Sequence, residues 1–82
     1  MTDTALTQIK AREQLLAWRK RHRATQYDAG RICGIGRTRI SLFENAHILL
    51  SPAELLRMQR SLREADLAEF FRLGAELAEV SA

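Results

Sequence analysis

The amino-acid sequence predicts an all-α fold, a compact five-helix bundle in a single domain of 82 residues. No stretch alternates apolar and polar residues as a half-buried strand does. Apolar residues instead recur at spacings of three and four through almost the whole chain, which indicates amphipathic helices. Residues that favour helix ends divide this pattern into five segments. The hydrophobic fraction of 46% is sufficient for a small core.

The first two helices are recognised by the residues at their ends. Helix 1 is expected to begin after Thr2-Asp3-Thr4, which offers N-cap oxygens, and to end near His22. Helix 2 is expected to start at Thr25, because Asp28 three residues later completes a capping box. It should stop at Gly34, since glycine readily takes the left-handed conformation that ends a helix.

Three further helices are predicted after this glycine. Helix 3 should follow Gly36 and end near Asn45. Helix 4 has the clearest start, with Ser51 as N-cap, proline at the first helical position and glutamate at the third, and it should run to about residue 62. Helix 5 is expected to begin with Asp66 as N-cap and to end near Val80. Ser61 with Glu64 is a competing cap signal. The alternative is that helices 4 and 5 form one continuous helix.

Charge is divided unevenly along the chain. Residues 1–41 contain nine Lys and Arg against three Asp and Glu, a net charge of +6. Residues 42–82 contain four against seven, a net charge of −3. A basic half favours a polyanionic partner, whereas the alternative is that these helices are simply well solvated.

Several classes of protein are disfavoured. The N-terminal sequence lacks the basic and apolar regions of a signal peptide, and no apolar run reaches the roughly 18 residues of a membrane span. One cysteine permits no internal disulfide. We therefore expect a cytoplasmic protein that does not bind membranes.

No catalytic, cofactor or metal site is predicted. The sequence shows no Ser/His/Asp or paired-carboxylate constellation, and G-I-G is too short for a phosphate-binding loop. His22 and His47 have no partners at metal-ligand spacing. Cys33 and Trp18 are expected in the core. We therefore predict that the protein is not an enzyme.

The segment G-I-G-R-T-R-I-S-L-F-E-N, residues 34–45, predicts a tight turn followed by a short helix with two different faces. Successive residues lie about 100° apart on an ideal helix. Ile40 and Phe43 then form an apolar face, and Arg39 lies on the flank. The opposite face carries one arginine, one leucine and small polar groups: Arg37, Leu42, Thr38, Ser41 and Asn45.

Such a helix is suited to the major groove of DNA, which is about 12 Å wide. Arg37 can donate two hydrogen bonds to guanine, Thr38 and Ser41 can reach base edges or phosphates, and Leu42 can contact a thymine methyl. These four residues are the predicted base contacts. Any surface helix of a small bundle also has a polar face, so the helical wheel alone favours a solvated surface.

Residues 25–45, T-Q-Y-D-A-G-R-I-C-G-I-G-R-T-R-I-S-L-F-E-N, resemble the helix-turn-helix of the lambda-repressor-like (Cro/xenobiotic-response-element type) DNA-binding family. The resemblance covers roughly residues 12–72. Eight residues fall in register with the family pattern without a gap: Thr25, Gln26, Gly34, Ile35, Ile40, Ser41, Glu44 and Asn45.

The resemblance implies a sequence-specific transcriptional regulator of double-stranded DNA, either a dimeric repressor or an autoregulatory controller. Helix 3 would enter the major groove and helix 2 would cross the backbone. It further implies that Gln26 bonds a phosphate or a nearby base and that Asn45 bonds a phosphate. Arg19 and Glu44 would form an internal ion pair. Other phosphate contacts are expected from cationic residues whose alternative is simple solvation: Arg39, Arg23, Arg31 and His47.

The sequence departs from the family pattern at several positions. Gly30 stands where the family has alanine and Ala29 where it has leucine, and both changes thin the core. Arg23 and Ala46 stand where the family often has glycine. Ile48–Leu50 replaces a polar loop. Two of its three residues are expected to cover the core, and the alternative is contact with a second subunit or another protein.

Helix 5 carries more apolar surface than one side of a small domain needs: Leu67, Phe70, Phe71, Leu73 and Leu77. Helix 1 adds Leu6 and Ile9. We predict a homodimer interface here, since a two-fold protein matches a pseudo-palindromic operator. The alternative is that helices 1 and 5 of one chain cover each other. A second hypothesis is a DNA-binding antitoxin or adaptor that holds a protein partner at Ile48–Leu50 or helix 5.

Overall fold

The computed structural model describes the backbone of residues 3–81 and the side chains of residues 5–78. Within this range the chain forms α1 (Asp3–His22), α2 (Gln26–Cys33), α3 (Arg37–Glu44) and α4 (Pro52–Ser81), and no strand. The predicted all-α class is confirmed. The side chains expected to cap helix 1, Thr2-Asp3-Thr4, lie outside the described residues. No described helix combines the length and the apolar character of a membrane span.

The predicted five-helix bundle is wrong, because the fourth and fifth helices form one continuous helix, α4. Neither glycine nor proline interrupts the junction. Asp66, the expected N-cap of helix 5, instead binds α1 through Arg21 Nη2 at 3.0 Å and His22 Nε2 at 2.7 Å. His22 Nδ1 lies 3.0 Å from a carboxylate oxygen of Glu69. Asp66, which predicted a helix start, therefore joins Glu69 in anchoring the middle of α4 to the end of α1.

The fold is also less compact than predicted. Its principal extents are 53 × 26 × 19 Å and its radius of gyration is 14.8 Å, whereas a compact domain of this length has about 12 Å. The 30 residues of α4 span about 45 Å at 1.5 Å per residue. The second half of α4 therefore extends beyond the core.

The core fills the space between α1, α2, α3 and the first half of α4. Trp18 and Cys33 are buried there, as predicted. Burial raises the pKa of the Cys33 thiol to about 11, so the thiol stays protonated and unreactive at neutral pH. The buried apolar residues are Ala11, Leu15, Trp18, Ala29, Cys33, Ile35, Ile40, Phe43, Leu50, Leu55, Met58 and Leu62.

Both predicted capping boxes are present. Thr25 and Asp28 exchange side chain-to-backbone hydrogen bonds of 3.0 Å at the start of α2. Ser51 and Glu54 do the same at 2.9 and 3.1 Å at the start of α4. The hydrogen bond from the Thr25 backbone lowers the pKa of Asp28. The starts of these two helices are therefore encoded locally.

The first three helices each end in a Schellman motif, in which the residue after the C-cap has a positive φ. Gly34 has φ 69° at the end of α2, as predicted. Arg23 (φ 52°) and Ala46 (φ 61°) take the same conformation after α1 and α3. After α3 the N–H of His47 donates to the carbonyl of Leu42 at 2.8 Å. Arg23 and Ala46 thus take the backbone conformation that glycine favours while carrying a Cβ.

Ala46→Gly is expected to raise the free energy of unfolding by about 1 kcal/mol, because a left-handed residue with a Cβ is strained. Urea unfolding followed by circular dichroism measures this change. The matched control is Ala68→Gly in the interior of α4, which should lower the free energy of unfolding by up to about 1 kcal/mol. A similar loss in both variants would contradict strain at Ala46.

Candidate nucleic-acid interface

The turn between α2 and α3 brings the two helices into contact at Gly30. A Cβ atom at this glycine would lie 2.6 Å from the carbonyl oxygen of Ile35 and 3.5 Å from the backbone nitrogen of Arg37. The N–H of Ile35 in turn donates to the carbonyl of Gly30 at 3.0 Å. The glycine lets the turn lie directly on α2, which fixes the position of the first residue of α3.

α3 presents its polar face to solvent. Ile40 and Phe43 are completely buried, which fixes the rotation of the helix about its axis. No ion pair among the described residues involves Arg37, so its guanidinium is available to a ligand. The four predicted base contacts are all accessible, with Ser41 half-buried and three residues exposed: Arg37, Thr38 and Leu42.

Glu44, at the end of α3, joins the first three helices. Its carboxylate accepts hydrogen bonds from Arg19 Nε at 2.7 Å and Arg19 Nη2 at 2.6 Å. Gln26 Nε2 of α2 donates to the same carboxylate at 2.9 Å. The Glu44 side chain is only 4% exposed. This is the ion pair that the resemblance implies, and it holds the end of α3 against α1 and α2.

Gln26 and Asn45, the phosphate contacts implied by the resemblance, each use one amide N–H within the chain. Gln26 donates to Glu44, and Asn45 Nδ2 donates to the carbonyl of Ser41 at 2.8 Å. A side-chain amide carries two donors. The second N–H of each residue therefore remains for a phosphate oxygen.

Arg39, also predicted to contact phosphate, is engaged elsewhere. Its Nε and Nη2 donate to the carboxylate of Glu54 at 2.9 and 2.7 Å. Glu54 also accepts from the N–H of Ser51 at 2.9 Å. This bidentate pair ties α3 to the start of α4. The guanidinium has five N–H donors, so the pair leaves donors for a phosphate, but the charge of Arg39 is already matched by that of Glu54.

The pair at Glu54 predicts a specific pH dependence. The hydrogen bond from Arg39, followed by that from the Ser51 backbone, lowers the pKa of Glu54 from 4.5 to about 2. A carboxylate with a lowered pKa stabilises the fold above its unfolded-state value, and this contribution is lost as the pH falls through the folded-state value. We therefore expect the contribution of Glu54 to disappear between pH 4.5 and about 2.

Urea unfolding across this pH range measures that loss. The free energy of unfolding should fall more steeply with acidification in the native chain than in Glu54→Gln, which has no carboxylate at this position to protonate. Glu64→Gln, at an exposed position of α4, is the control and should follow the native slope. Equal slopes for the native chain and Glu54→Gln would contradict the assignment.

The remaining predicted phosphate contacts are dispersed. Arg23 and His47 are exposed in the turns after α1 and α3. Arg31 lines a groove on the side of Trp18, whereas Arg37 lines a separate groove at the start of α2. The structure therefore groups Arg37 with the N-terminal residues of α2 and leaves Arg31 apart from them.

Three residues that the sequence did not point to contribute to the site or to the structure behind it. Tyr27, 57% exposed, lines the groove that contains Arg37. Arg12 Nε donates to the carbonyl of Phe43 at 2.8 Å, and its guanidinium lies 5.3 Å from that ring centroid. Gln8 is 3% exposed and exchanges hydrogen bonds of 2.8 and 3.1 Å with the Leu50 backbone. Gln8 lies three residues before Ala11 on the buried side of α1, a spacing that could have identified it.

Two residues of the apolar loop Ile48–Leu50 pack on the core. Leu50 is 2% exposed and Ile48 packs partly buried against the core, as predicted for two of the three residues. Leu49 is 61% exposed. The loop thus offers one large apolar side chain to a partner.

The residues predicted for the dimer interface are uncovered in the single chain. Leu6 and Ile9 of α1 are also exposed, by 51% and 46%, so α1 and the end of α4 do not cover each other. The exposed fractions on α4 are Leu67 47%, Phe70 69%, Phe71 67%, Leu73 47% and Leu77 67%.

Comparison with known proteins finds no match for this chain among family models, curated proteins or solved structures.

Proposed function

We propose that this protein binds double-stranded DNA sequence-specifically and regulates transcription as a dimeric repressor or autoregulatory controller. The observation that carries the proposal is the α2–α3 unit, in which α3 buries Ile40 and Phe43 and exposes Arg37 and Thr38 on the opposite side. A short helix held by its predecessor and open on one face is the element that enters a major groove.

The contacts around α3 support this use, because they hold the helix without covering its outer face. Glu44 fixes its end to α1 and α2, Arg39 fixes its flank to Glu54 of α4, and Gly30 fixes its start. A helix whose position is already fixed loses little backbone entropy when it meets the duplex. α3 therefore enters the groove as a rigid body.

Contacts to phosphates would set the register of the helix on the duplex. Gln26, with its second amide N–H, and Tyr27, with its hydroxyl, lie at the start of α2 and line the same groove as Arg37. Side chains of this kind bond phosphate oxygens and orient a recognition helix. Because residues 1–41 carry a net charge of +6, binding should weaken steeply as salt concentration rises.

Arg37→Ala is expected to weaken binding to the preferred duplex by about 1–3 kcal/mol and to relax selectivity at one base pair, because a bidentate guanine contact is lost. Fluorescence anisotropy with the preferred duplex and single-base variants of it measures both effects. Arg72→Ala on the exposed end of α4 is the matched control and should leave affinity unchanged. Unchanged affinity and selectivity in Arg37→Ala would contradict groove entry by α3.

A second candidate function is a DNA-binding antitoxin or adaptor that holds a protein partner. The exposed Leu49 and the uncovered end of α4 favour it. A partner that co-purifies with the native chain and is lost in Leu49→Asp would support this function. A lone homodimer with full DNA affinity would count against it.

A further inference from the structure

The apolar face of α4 changes side along the helix. In the first half, Leu55, Met58 and Leu62 are buried against the core. At about 100° per residue, the centre of the apolar face in the second half lies roughly 130° around the helix from these residues. We name this second face the α4 stripe: Leu67, Phe70, Phe71, Gly74, Leu77 and Ala78. The stripe points away from the core of its own chain.

The α4 stripe is both exposed and uneven in shape. Phe70 and Phe71 are 69% and 67% exposed. Their rings pack edge to face, with the ring centroids 5.9 Å apart. One turn further on, a Cβ atom at Gly74 would meet no atom within 4 Å. The stripe therefore consists of a bulky aromatic step followed by an open space above the backbone.

The two ends of the α4 stripe differ in charge. Arg60 and Arg63 are exposed on the same face, within two turns before Leu67. The last turn of α4 contains no basic residue. The helix dipole places partial negative charge at this C-terminal end. A partner that fits the stripe therefore has the opposite polarity along its length.

We infer that the α4 stripe binds the α4 stripe of a second copy of this chain in antiparallel orientation, with Phe70 of each copy over Gly74 of the other. The inference rests on the dimer of the proposed function and adds its orientation and register. The same patch on both copies forms a two-fold, self-complementary interface.

The register follows from shape. When two α4 helices cross antiparallel at residue 72, Phe70 faces Gly74 of the partner and Leu67 faces Leu77 of the partner. Two-fold symmetry repeats both pairs. Each phenyl ring fills the open space over a glycine, which is how large and small residues interdigitate between packed helices. The leucine pairs close the interface on both sides of the aromatic centre.

The orientation follows from charge and from shape together. Antiparallel packing places Arg63 beside the last turn of the partner's α4, where a cation is stabilised by the dipole. Parallel packing would instead place Arg63 against Arg63 of the partner, and Gly74 against Gly74 of the partner. The first pair repels and the second leaves a void. The antiparallel arrangement is favoured on both grounds.

Disulfide trapping tests the orientation. Two single variants are prepared, Leu67→Cys without a tag and Leu77→Cys with an affinity tag. They are mixed and oxidised in glutathione buffer. In the antiparallel pair the two cysteines face each other, whereas two cysteines at one position lie about 15 Å apart along the axis, beyond the roughly 7 Å that a disulfide can bridge between Cα atoms. Both positions are exposed, so the fold is unaffected.

The expected result is a mixed-chain disulfide and almost none in either chain alone. The native chain is the control, because its Cys33 is buried and should not cross-link. Self-linking of Leu67→Cys as fast as mixed linking would overturn the inference in favour of parallel packing. A native chain that sediments as a monomer at all concentrations would overturn it in favour of a different partner.

Gly74→Ala tests the register and separates pairing from folding. In the single chain this change should strengthen the helix, whereas in the antiparallel pair the added methyl meets Phe70 of the partner. We expect the dimer dissociation constant, from sedimentation equilibrium, to rise roughly tenfold while helix content is maintained. Unchanged or tighter dimerisation would overturn the register, since parallel packing predicts that a methyl fills the void between two glycines.

Neither experiment contains DNA, so the pairing and the proposed function can fail separately. If the chains cross-link as expected but bind no preferred duplex, the proposed DNA recognition is contradicted and the antiparallel pair is supported. If the chain binds a preferred duplex but does not cross-link as expected, only the antiparallel pair is contradicted.

Discussion

Glu44→Gln is expected to lower the free energy of unfolding by about 3 kcal/mol, because it removes the carboxylate from a partly buried ion pair. Glu44 is 4% exposed and accepts two hydrogen bonds from Arg19 and one from Gln26. The amide that replaces it turns a donor group towards the Arg19 guanidinium, which has no other carboxylate partner among the described residues. Urea unfolding followed by circular dichroism measures the loss.

DNA affinity should fall together with stability in Glu44→Gln, because α3 loses its tie to α1 and α2. Glu64→Gln is the matched control, since it makes the same chemical change at an exposed position of α4 and should alter stability by less than about 0.5 kcal/mol. A loss in Glu44→Gln no larger than that in the control would show that this cluster does not hold the helices together.

Gly30→Ala is expected to lower the free energy of unfolding by about 1–3 kcal/mol through overpacking. The added Cβ would lie 2.6 Å from the carbonyl oxygen of Ile35, a backbone atom that cannot move without shifting the turn. Helix propensity alone predicts the opposite effect, an increase of about 1 kcal/mol in the free energy of unfolding. Urea unfolding distinguishes the two signs directly.

The matched control for Gly30→Ala is Gly74→Ala, at a helical glycine with open space around it. At protein concentrations low enough to keep the chain monomeric, this control should gain up to about 1 kcal/mol of helix stability. A gain in both variants would mean that the α2–α3 turn relaxes away from Gly30, and the fixed position of α3 would then be in doubt.

Local features of the fold were predictable from sequence because they depend on residues close together in the chain. Thr25 with Asp28 and Ser51 with Glu54 start helices through hydrogen bonds across three residues. Gly34 ends α2 for reasons of backbone geometry alone. Signals of this kind need no knowledge of the rest of the molecule.

Features that depend on distant residues were not predictable in this way. Asp66 is a good N-cap residue, but its carboxylate binds Arg21 and His22 of α1 instead. These two residues are 45 and 44 positions away in the sequence. Arg39 is an exposed cation by periodicity, yet the fold brings Glu54 at the start of α4 within hydrogen-bonding distance of it. Local signals identify the side chains that are available for bonding, and packing decides which partner each one takes.

The candidate site was predicted with similar limits. The accessibility of Arg37, Thr38 and Leu42 follows from the burial of Ile40 and Phe43 on the other side of one short helix. The place of Tyr27 beside Arg37 was not predicted, because it depends on how α2 and α3 cross. One helix could be oriented from its sequence, whereas the surface formed by two helices required the structure.

The most direct test of sequence-specific DNA binding is selection of bound duplexes from a random library at near-physiological salt, read by sequencing. We expect an enriched motif of two inverted half-sites about one helical turn, roughly 34 Å, apart. The same selection with Arg37→Ala should lose preference at one base pair in each half-site. Recovery of random sequence, with only weak and salt-sensitive binding, would contradict the proposed function.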